Sequence, residues 1–239
     1  MLKTIDNNLV IEIEYLGIKY NILTTTKYSQ LFQVLDSEDS KNTKKYMINH
    51  NLLKEDFGIE RVLIPKQNHT NNIEFVNKST KGSLLCDGLL TKEKNIAIGI
   101  LTADCYTVQI FGQNIISNIH CGWRGIYSGI IEKTIDAIRT KNETILGAIV
   151  GVGICEKCYT VDINLIIKFQ NLYKDIFYYK DINGKFHLSL RHIVDKILKL
   201  NEVTNIYHLD YCSSCSKMLY SYRRDNKTIK RMLTLAWMK

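Results

Sequence analysis

Between residues 95 and 120 the chain reads NIAIGILTA (95–103), TVQIF (107–111) and NIISNIH (114–120), three apolar runs separated by only two or three residues. Runs this short, rich in isoleucine and bounded by turn residues, read as buried strands. The short link at Gly112 to Asn114 is read as a hairpin turn, so that 107–111 pairs with 114–120. Such a hairpin brings Cys105 and His120, which flank its open end, to one edge of a sheet.

Other strand candidates are LVIEIEYL (9–16), RVLIP (61–65), AIVGVGI (148–154) and NIYHLDY (205–211). Helical spacing recurs at Ile126, Ile130, Thr134 and Ile138, and again at Leu165, Phe169, Leu172 and Phe177 behind Asp162 as N-cap. Two further helices fit 188–200 and 42–54. Strands and helices mix without regular alternation, which predicts an α+β fold rather than a doubly wound sheet. No repeat, low-complexity tract or Pro/Gly/Ser-rich linker divides the chain, so residues 1–239 are expected to form a single domain.

Charge narrows the functional classes. Lys and Arg number 32 against 24 Asp and Glu, a net +8 with a pI near 9.0, which raises phosphate-bearing partners. The lysines are scattered, however, with no dense basic block interleaved with aromatics, so nucleic acid is not the expected partner. The first apolar run is broken by Glu12 and Glu14, and the longest stretch without Asp, Glu, Lys or Arg, Cys105 to Trp123, is interrupted by polar residues. The expectation is a cytoplasmic protein with no membrane partner, acting as monomer or homodimer. Seven cysteines (86, 105, 121, 155, 158, 212, 215) are then expected as reduced thiols, available for metal or catalysis.

His69 follows the strand 61–65, Cys105 follows 95–103, and His120 closes 114–120. Two imidazoles and a thiolate make a tetrahedral zinc set with one position open to water. Zinc there would lower the pKa of that water toward ~7 and supply a nucleophile at neutral pH. A rival reading makes Cys105 a nucleophile and His120 its base, with no metal; only the metal site requires His69. The two CxxC pairs, CEKC (155–158) and CSSC (212–215), could form a separate four-cysteine zinc site, or Cys155 and Cys158 could simply be small residues at a tight turn after GVG.

Gly122, Gly125 and Gly129 allow close backbone approach to a ligand, and a helix from Ile126 would aim its N-terminus toward His120, with Arg124 at the entrance. A guanidinium beside oriented N–H groups suits phosphate. Near the C-terminus, Arg223, Arg224 and Arg231 stand beside Tyr220 and Tyr222, where they could hold phosphate or ribose, or pair with Asp225 on the surface.

Taken in order, KQNHT (66–70), CDGLLT (86–91), ILTADCYTVQIF (100–111), NIHCGWRGIYSGI (118–130), GVGICEKCYTVD (151–162) and YCSSCSKMLYSYRRD (211–225) resemble the signature blocks of the laccase-domain family, also called polyphenol-oxidase-like, YfiH-like or peptidoglycan editing factor. The resemblance covers residues 61 to 236. It implies one α+β domain with a mixed, β-sandwich-like core flanked by helices. It also implies a zinc-dependent purine nucleoside phosphorylase with adenosine deaminase activity, whose metal ligands are His69, Cys105 and His120. Small-molecule nucleoside and phosphate are the implied substrates. Asp87 and Asp104 are the acidic candidates for proton transfer, Asp104 alternatively as an orienter of a ligand, with Cys105 and Arg124 completing the catalytic set. Gln67, Arg124, Arg223 and Arg224 are the candidate contacts to substrate and phosphate. In the family, cysteines near the two CxxC positions are common without a structural zinc site.

Departures fall at Thr70, where the family has glycine, at Thr107, where it has proline, and in TTTKYSQLFQVLDSEDS (24–40), where the N-terminal block is scarcely recognisable. Copper is a possible alternative metal, because the same ligands bind Cu²⁺ more tightly by intrinsic affinity. A copper-dependent phenol oxidase would want more histidines near the motifs than six in the chain supply. A peptidoglycan-precursor hydrolase using the same site, and a non-enzymatic zinc-bearing interaction module, are the remaining alternatives.

Overall fold

The computed structural model describes residues 2–35 and 45–239. The chain begins with β1 (Leu2–Ile5), β2 (Asn8–Tyr15) and β3 (Ile18–Thr25), then β4 (Phe32–Leu35), β5 (Lys45–Ile48) and α1 (His50–Phe57). Next come β6 (Arg61–Leu63), β7 (Ile73–Phe75), β8 (Gly88–Thr91), β9 (Ile96–Thr102), β10 (Tyr106–Gly112) and β11 (Ile115–Cys121). After them run α2 (Trp123–Tyr127), α3 (Ile130–Arg139), β12 (Ile145–Val150), β13 (Thr160–Val161) and α4 (Ile163–Tyr173). The last elements are β14 (Tyr178–Lys180), β15 (Phe186–Leu188), α5 (Leu190–Leu200), β16 (Ile206–His208) and β17 (Met232–Met238).

Two six-stranded sheets dominate, in the orders β1-β2-β3-β17-β9-β6 and β16-β12-β10-β11-β8-β7. The fold is α+β, with the sheets stacked as a sandwich. The side-chain period of two along each strand fills three layers at once. Ile22, Ile98, Ala236 and Met238 of the first sheet meet Leu89, Phe111, Ile116 and Ile149 of the second in the central core. Their neighbours Leu23, Ala97, Leu235 and Trp237 turn the other way, onto Leu53 and Phe57 of α1. Leu90, Ile115, Ala148 and Val150 face outward from the second sheet onto Ile131 and Ile135 of α3, Phe169 of α4 and Ile193 and Ile197 of α5.

Polar bridges join the sheets inside this apolar layer. Asn118 of β11 donates through Nδ2 to the carbonyls of Ile98 (2.9 Å) and Thr234 (2.9 Å) on the facing sheet, and its Oδ1 accepts from Gln109 Nε2 at 2.8 Å. Tyr20 of β3 donates its hydroxyl to Gly112 O at 2.7 Å, at the turn between β10 and β11. Burial pushes the Tyr20 phenol up to about 12, with Glu143 adding to the effect, so it stays a donor.

The hairpin read at Gly112 to Asn114 is present, with Val108 opposite Ile119 and Thr107 opposite His120. Several boundaries move. The 148–154 strand runs Ile145–Val150 instead, because beyond it Gly153 makes only an isolated bridge to Cys212. A continuous helix from Ile126 is replaced by α2 and α3, broken at Gly129, whose φ of 82° sends the chain into the left-handed region that glycine enters without strain. The helix capped by Asp162 stops at Tyr173, short of Phe177, where Lys174 turns to φ 42°. Of the helix expected over 42–54, residues 42–44 lie outside the described residues, 45–48 form β5, and the helix proper starts at His50 behind Asn49. Among the described residues no helix is long and apolar enough to cross a membrane.

Replacing Asn118 by alanine removes the donor to two strand carbonyls and the acceptor of buried Gln109. A loss of roughly 2–3 kcal/mol is expected, the desolvation cost of buried groups left unpaired, read by urea unfolding; a change below about 0.5 kcal/mol would show that the bridge contributes little.

Candidate metal centre

His69, Cys105 and His120 converge. One ligand atom from each lies within 4.8 Å of the others. His120 sits at the buried end of β11 with 3% of its surface exposed, whereas His69 and Cys105 come from the loops behind β6 and β9. The two imidazole rings meet edge to face at 4.7 Å between centroids. His69 has φ 60° and Asp104, next to Cys105, has φ 92°. Non-glycine residues are rare at such values, so the backbone is strained on both sides of the cluster.

Asp87 organises this arrangement. It is fully buried on the residue before β8. Its Oδ1 accepts from the His69 N–H (2.9 Å) and from His120 Nδ1 (2.9 Å), and its Oδ2 accepts from the Thr70 N–H (2.7 Å), the Thr70 hydroxyl (2.8 Å) and the Asn68 N–H (3.2 Å). Burial alone would raise this carboxyl, but hydrogen bonds from His120 and Thr70 hold it well below the usual carboxylate range. Through Nδ1 it orients the His120 ring, so that Nε2 is the nitrogen turned to the cluster. Thr70, the departure from glycine, provides two of the five donors.

Cys105 and His120 perturb one another. Burial opposes ionisation of Cys105, yet the His120 charge and hydrogen bonds from His120 and His69 draw its pKa down to about 6. Burial likewise opposes protonation of His120, but the Cys105 thiolate and Asp87 push it up to about 9. Gly122 closes over the trio: a Cβ there would stand 3.0 Å from Cys105 Sγ and 3.3 Å from His69 Cδ2. A side chain there would press on both ligands.

The remaining sequence candidates have varied surroundings. Asp104 accepts from Ser213 Oγ at 2.7 Å and from the Arg223 N–H at 2.7 Å, tying two C-terminal loops to the residue beside Cys105. Gln67 uses both ends of its amide on the Leu101 backbone, at 3.0 and 2.8 Å, so the candidate substrate contact is engaged in bracing β9. Arg224 donates to the carbonyls of Ser213, Ser214, Ser216 and Leu219 and pairs with Asp225, which makes it a brace of the 213–219 loop rather than a free phosphate ligand. Arg223 is exposed, lies 5.5 Å from the Tyr159 ring centroid and donates to Thr160. Arg124 is exposed and stacks on Trp123 at 4.5 Å. The helix it belongs to begins at Trp123, not Ile126, and has five residues.

One residue enters that the sequence did not single out by role. Tyr159 follows CEKC directly and its ring lies 5.5 Å from the Arg223 guanidinium; burial pushes its phenol up to about 12, with Cys105 adding and Arg223 and Arg124 opposing, so it keeps its proton. Arg231, read in the sequence with Arg223 and Arg224 as able to hold phosphate or ribose or to lie on the surface, is half-buried. Burial pulls its pKa down, and its guanidinium donates to the carbonyls of Thr228 and Lys230, at 2.5 and 2.8 Å.

A family model described as multi-copper polyphenol oxidoreductase laccase matches residues 23–239, and the chain belongs to this family. The match takes in the N-terminal block that motif reading scarcely recognised. A purine nucleoside phosphorylase of Clostridium acetobutylicum is 32% identical over 231 residues, covering 90% of this chain and 95% of its own. One of Aquifex aeolicus is 33% identical over 177 residues, 74% of this chain and 82% of its own. A relative from an unknown prokaryotic organism, adenosine deaminase RL5, is 24% identical over 70% of this chain and 71% of its own. The crystal structure of Bacillus licheniformis YfiH superposes with a TM-score of 0.82 at 23% identity, covering 100% of this chain and 99% of that one, and shares the fold.

Two outcomes test this geometry. In metal-free protein the Cys105 thiolate is expected to persist as pH falls until about 6. Iodoacetamide labelling of Cys105, followed by peptide mass spectrometry, should therefore level off above that pH instead of climbing toward the ordinary thiol value of about 8.5; continued climbing would remove the Cys105/His120 pair. Replacing Asp87 by asparagine should weaken metal binding about 10–100-fold in a chelator competition. Unchanged affinity would mean that Asp87 does not orient His120.

Proposed function

We propose that this chain is a zinc-dependent purine nucleoside phosphorylase with adenosine deaminase activity, acting on nucleosides of the adenosine, inosine and methylthioadenosine class. The observation that carries this reading is the convergence of His69, Cys105 and His120 within 4.8 Å beside Gly122, which has no side chain to press on them. The names of the relatives support the same direction. Two imidazoles and a thiolate already drawn toward its ionised form fit zinc, with a fourth position open to solvent or substrate. Bound there, the metal would supply Lewis acidity toward the purine and toward water.

The chain's own residues would do the rest. Asp87 holds His120 in one tautomer, so that the ring presents its other nitrogen outward. Arg124 and Arg223, both exposed, are the guanidinium groups suited to phosphate. In phosphorolysis a phosphate oxygen bonds to C1′ of the ribose as the C1′–N9 bond breaks, and the purine leaves with that electron pair and takes up a proton. Tyr159, protonated at neutral pH, is a donor for the purine or ribose. In deamination water adds at C6 and ammonia leaves, the proton passing through a group at the rim. Asp104, engaged by Ser213 and Arg223, is better suited to positioning Arg223 than to carrying that proton. Residues 1–239 are read as one domain working in the cytoplasm on small molecules, as monomer or homodimer, without nucleic acid or membrane.

Copper chemistry of the kind in the family description would need further histidine clusters, and among the described residues the only histidine-bearing group able to hold a metal is this one.

Purified protein of known metal content, incubated with adenosine, should yield adenine only when phosphate is present and inosine in either case. Cys105→Ala should lose bound zinc at this centre and reduce both activities by at least about 10³-fold, on the scale of removing a group that acts throughout the reaction. Full turnover by the metal-free variant would sink the assignment.

A further inference from the structure

The four cysteines of CEKC and CSSC come together in space. Cys155, Cys158, Cys212 and Cys215 place their sulfurs within 4.8 Å of one another, although α4 and α5 lie between the two pairs. Cys158 and Cys215 are 3.4 Å apart at Sγ, and Cys155 and Cys215 are 3.9 Å apart. Four sulfurs on a tetrahedron around zinc, each at about 2.3 Å from the metal, stand about 3.8 Å from one another. The observed spacing brackets that value. All four are free thiols.

The backbone around them is shaped for a charged sulfur. Each CxxC pair forms a tight turn, closed by Cys158 N–H to Cys155 O at 3.1 Å in one and Ser216 N–H to Cys212 O at 3.0 Å in the other. The N–H groups of Cys155 and Cys215 both point at Cys212 Sγ, at 3.3 and 3.4 Å. Gly153 bridges to Cys212, which sets the two turns side by side, and Arg224 holds the second turn by the carbonyls of Ser213, Ser214 and Ser216. Core packing does not account for the group, since Cys215 is exposed and the other three are only half-buried.

We propose that these four cysteines form a second metal site, a closed four-thiolate centre for zinc, separate from the His69/Cys105/His120 centre. Its four protein ligands leave no open position, so its role is structural. The role is specific to this fold: the turn of the first pair follows Ile154, whose N–H donates to Asp104 O, and the second contains Ser213, whose hydroxyl donates to the Asp104 carboxylate. Metal at the four thiolates would therefore clamp together the two loops that hold the residue next to Cys105.

The experiment is metal counting on the full chain, expressed with zinc and purified with a thiol reductant and no chelator. Two zinc ions per wild-type chain are expected, one in Cys105→Ala and one in the Cys158→Ser/Cys215→Ser double variant. Cobalt exchanged into Cys105→Ala should show the intense thiolate-to-metal charge-transfer band and strong visible absorption of a tetrahedral four-sulfur site, a readout that does not depend on the double variant folding. One zinc in the wild type and none in Cys105→Ala would overturn the proposal, as would disulfides among these four cysteines in the reduced, zinc-supplied protein. One zinc in both proteins with the four-sulfur spectrum would uphold this site and count instead against the metal at His69, Cys105 and His120.

Discussion

A single buried carboxylate unites the candidate centre. Asp87 accepts from three successive backbone N–H groups, 68 to 70, from the Thr70 hydroxyl and from the His120 ring. Its charge is stable in the interior only because all these donors converge on it. In return it fixes a loop that would otherwise be free to move and sets the orientation of an imidazole on a strand. Each of the two histidines is thus placed by reference to the same side chain. The strained φ of His69 follows from this requirement, since the loop must bend to present consecutive N–H groups to one carboxyl.

Around that anchor the sandwich provides rigidity where the chemistry needs it. β10 and β11 are central strands buried on both faces, pinned to the opposite sheet by Asn118 and Tyr20, so the end of β11 that carries His120 has little freedom. Cys105 hangs on the connection between β9 and β10, which belong to different sheets, and Asp104 there makes contact with the C-terminal loops. The result is a centre whose floor is sheet and whose walls are loops. Walls of that kind can vary in substrate contacts without disturbing the floor.

Adjacent arginines divide between the surface and the fold. Arg124 and Arg223 are exposed, set against the rings of Trp123 and Tyr159, while Arg224, adjacent in sequence to Arg223, is consumed by backbone carbonyls. Neighbours in the chain thus take opposite tasks. The loop geometry decides which guanidinium points out and which braces the fold from within.

Local chemistry made much of this legible in the sequence. The apolar runs around residues 95–120, the Gly112 turn and the Asp162 cap depend on neighbouring residues alone, and they appear where they were read in the sequence. Cys105 and His120 were legible as a pair because one hairpin joins them. What tertiary structure alone decided is everything that spans the chain. β17 inserts between β3 and β9, Asp87 receives the His120 ring and three successive backbone N–H groups, Gln67 turns onto Leu101, and two distant CxxC pairs meet. These depend on which surfaces pack together over long separations, where burial and hydrogen-bond completion across the whole core set the outcome and no local pattern records it.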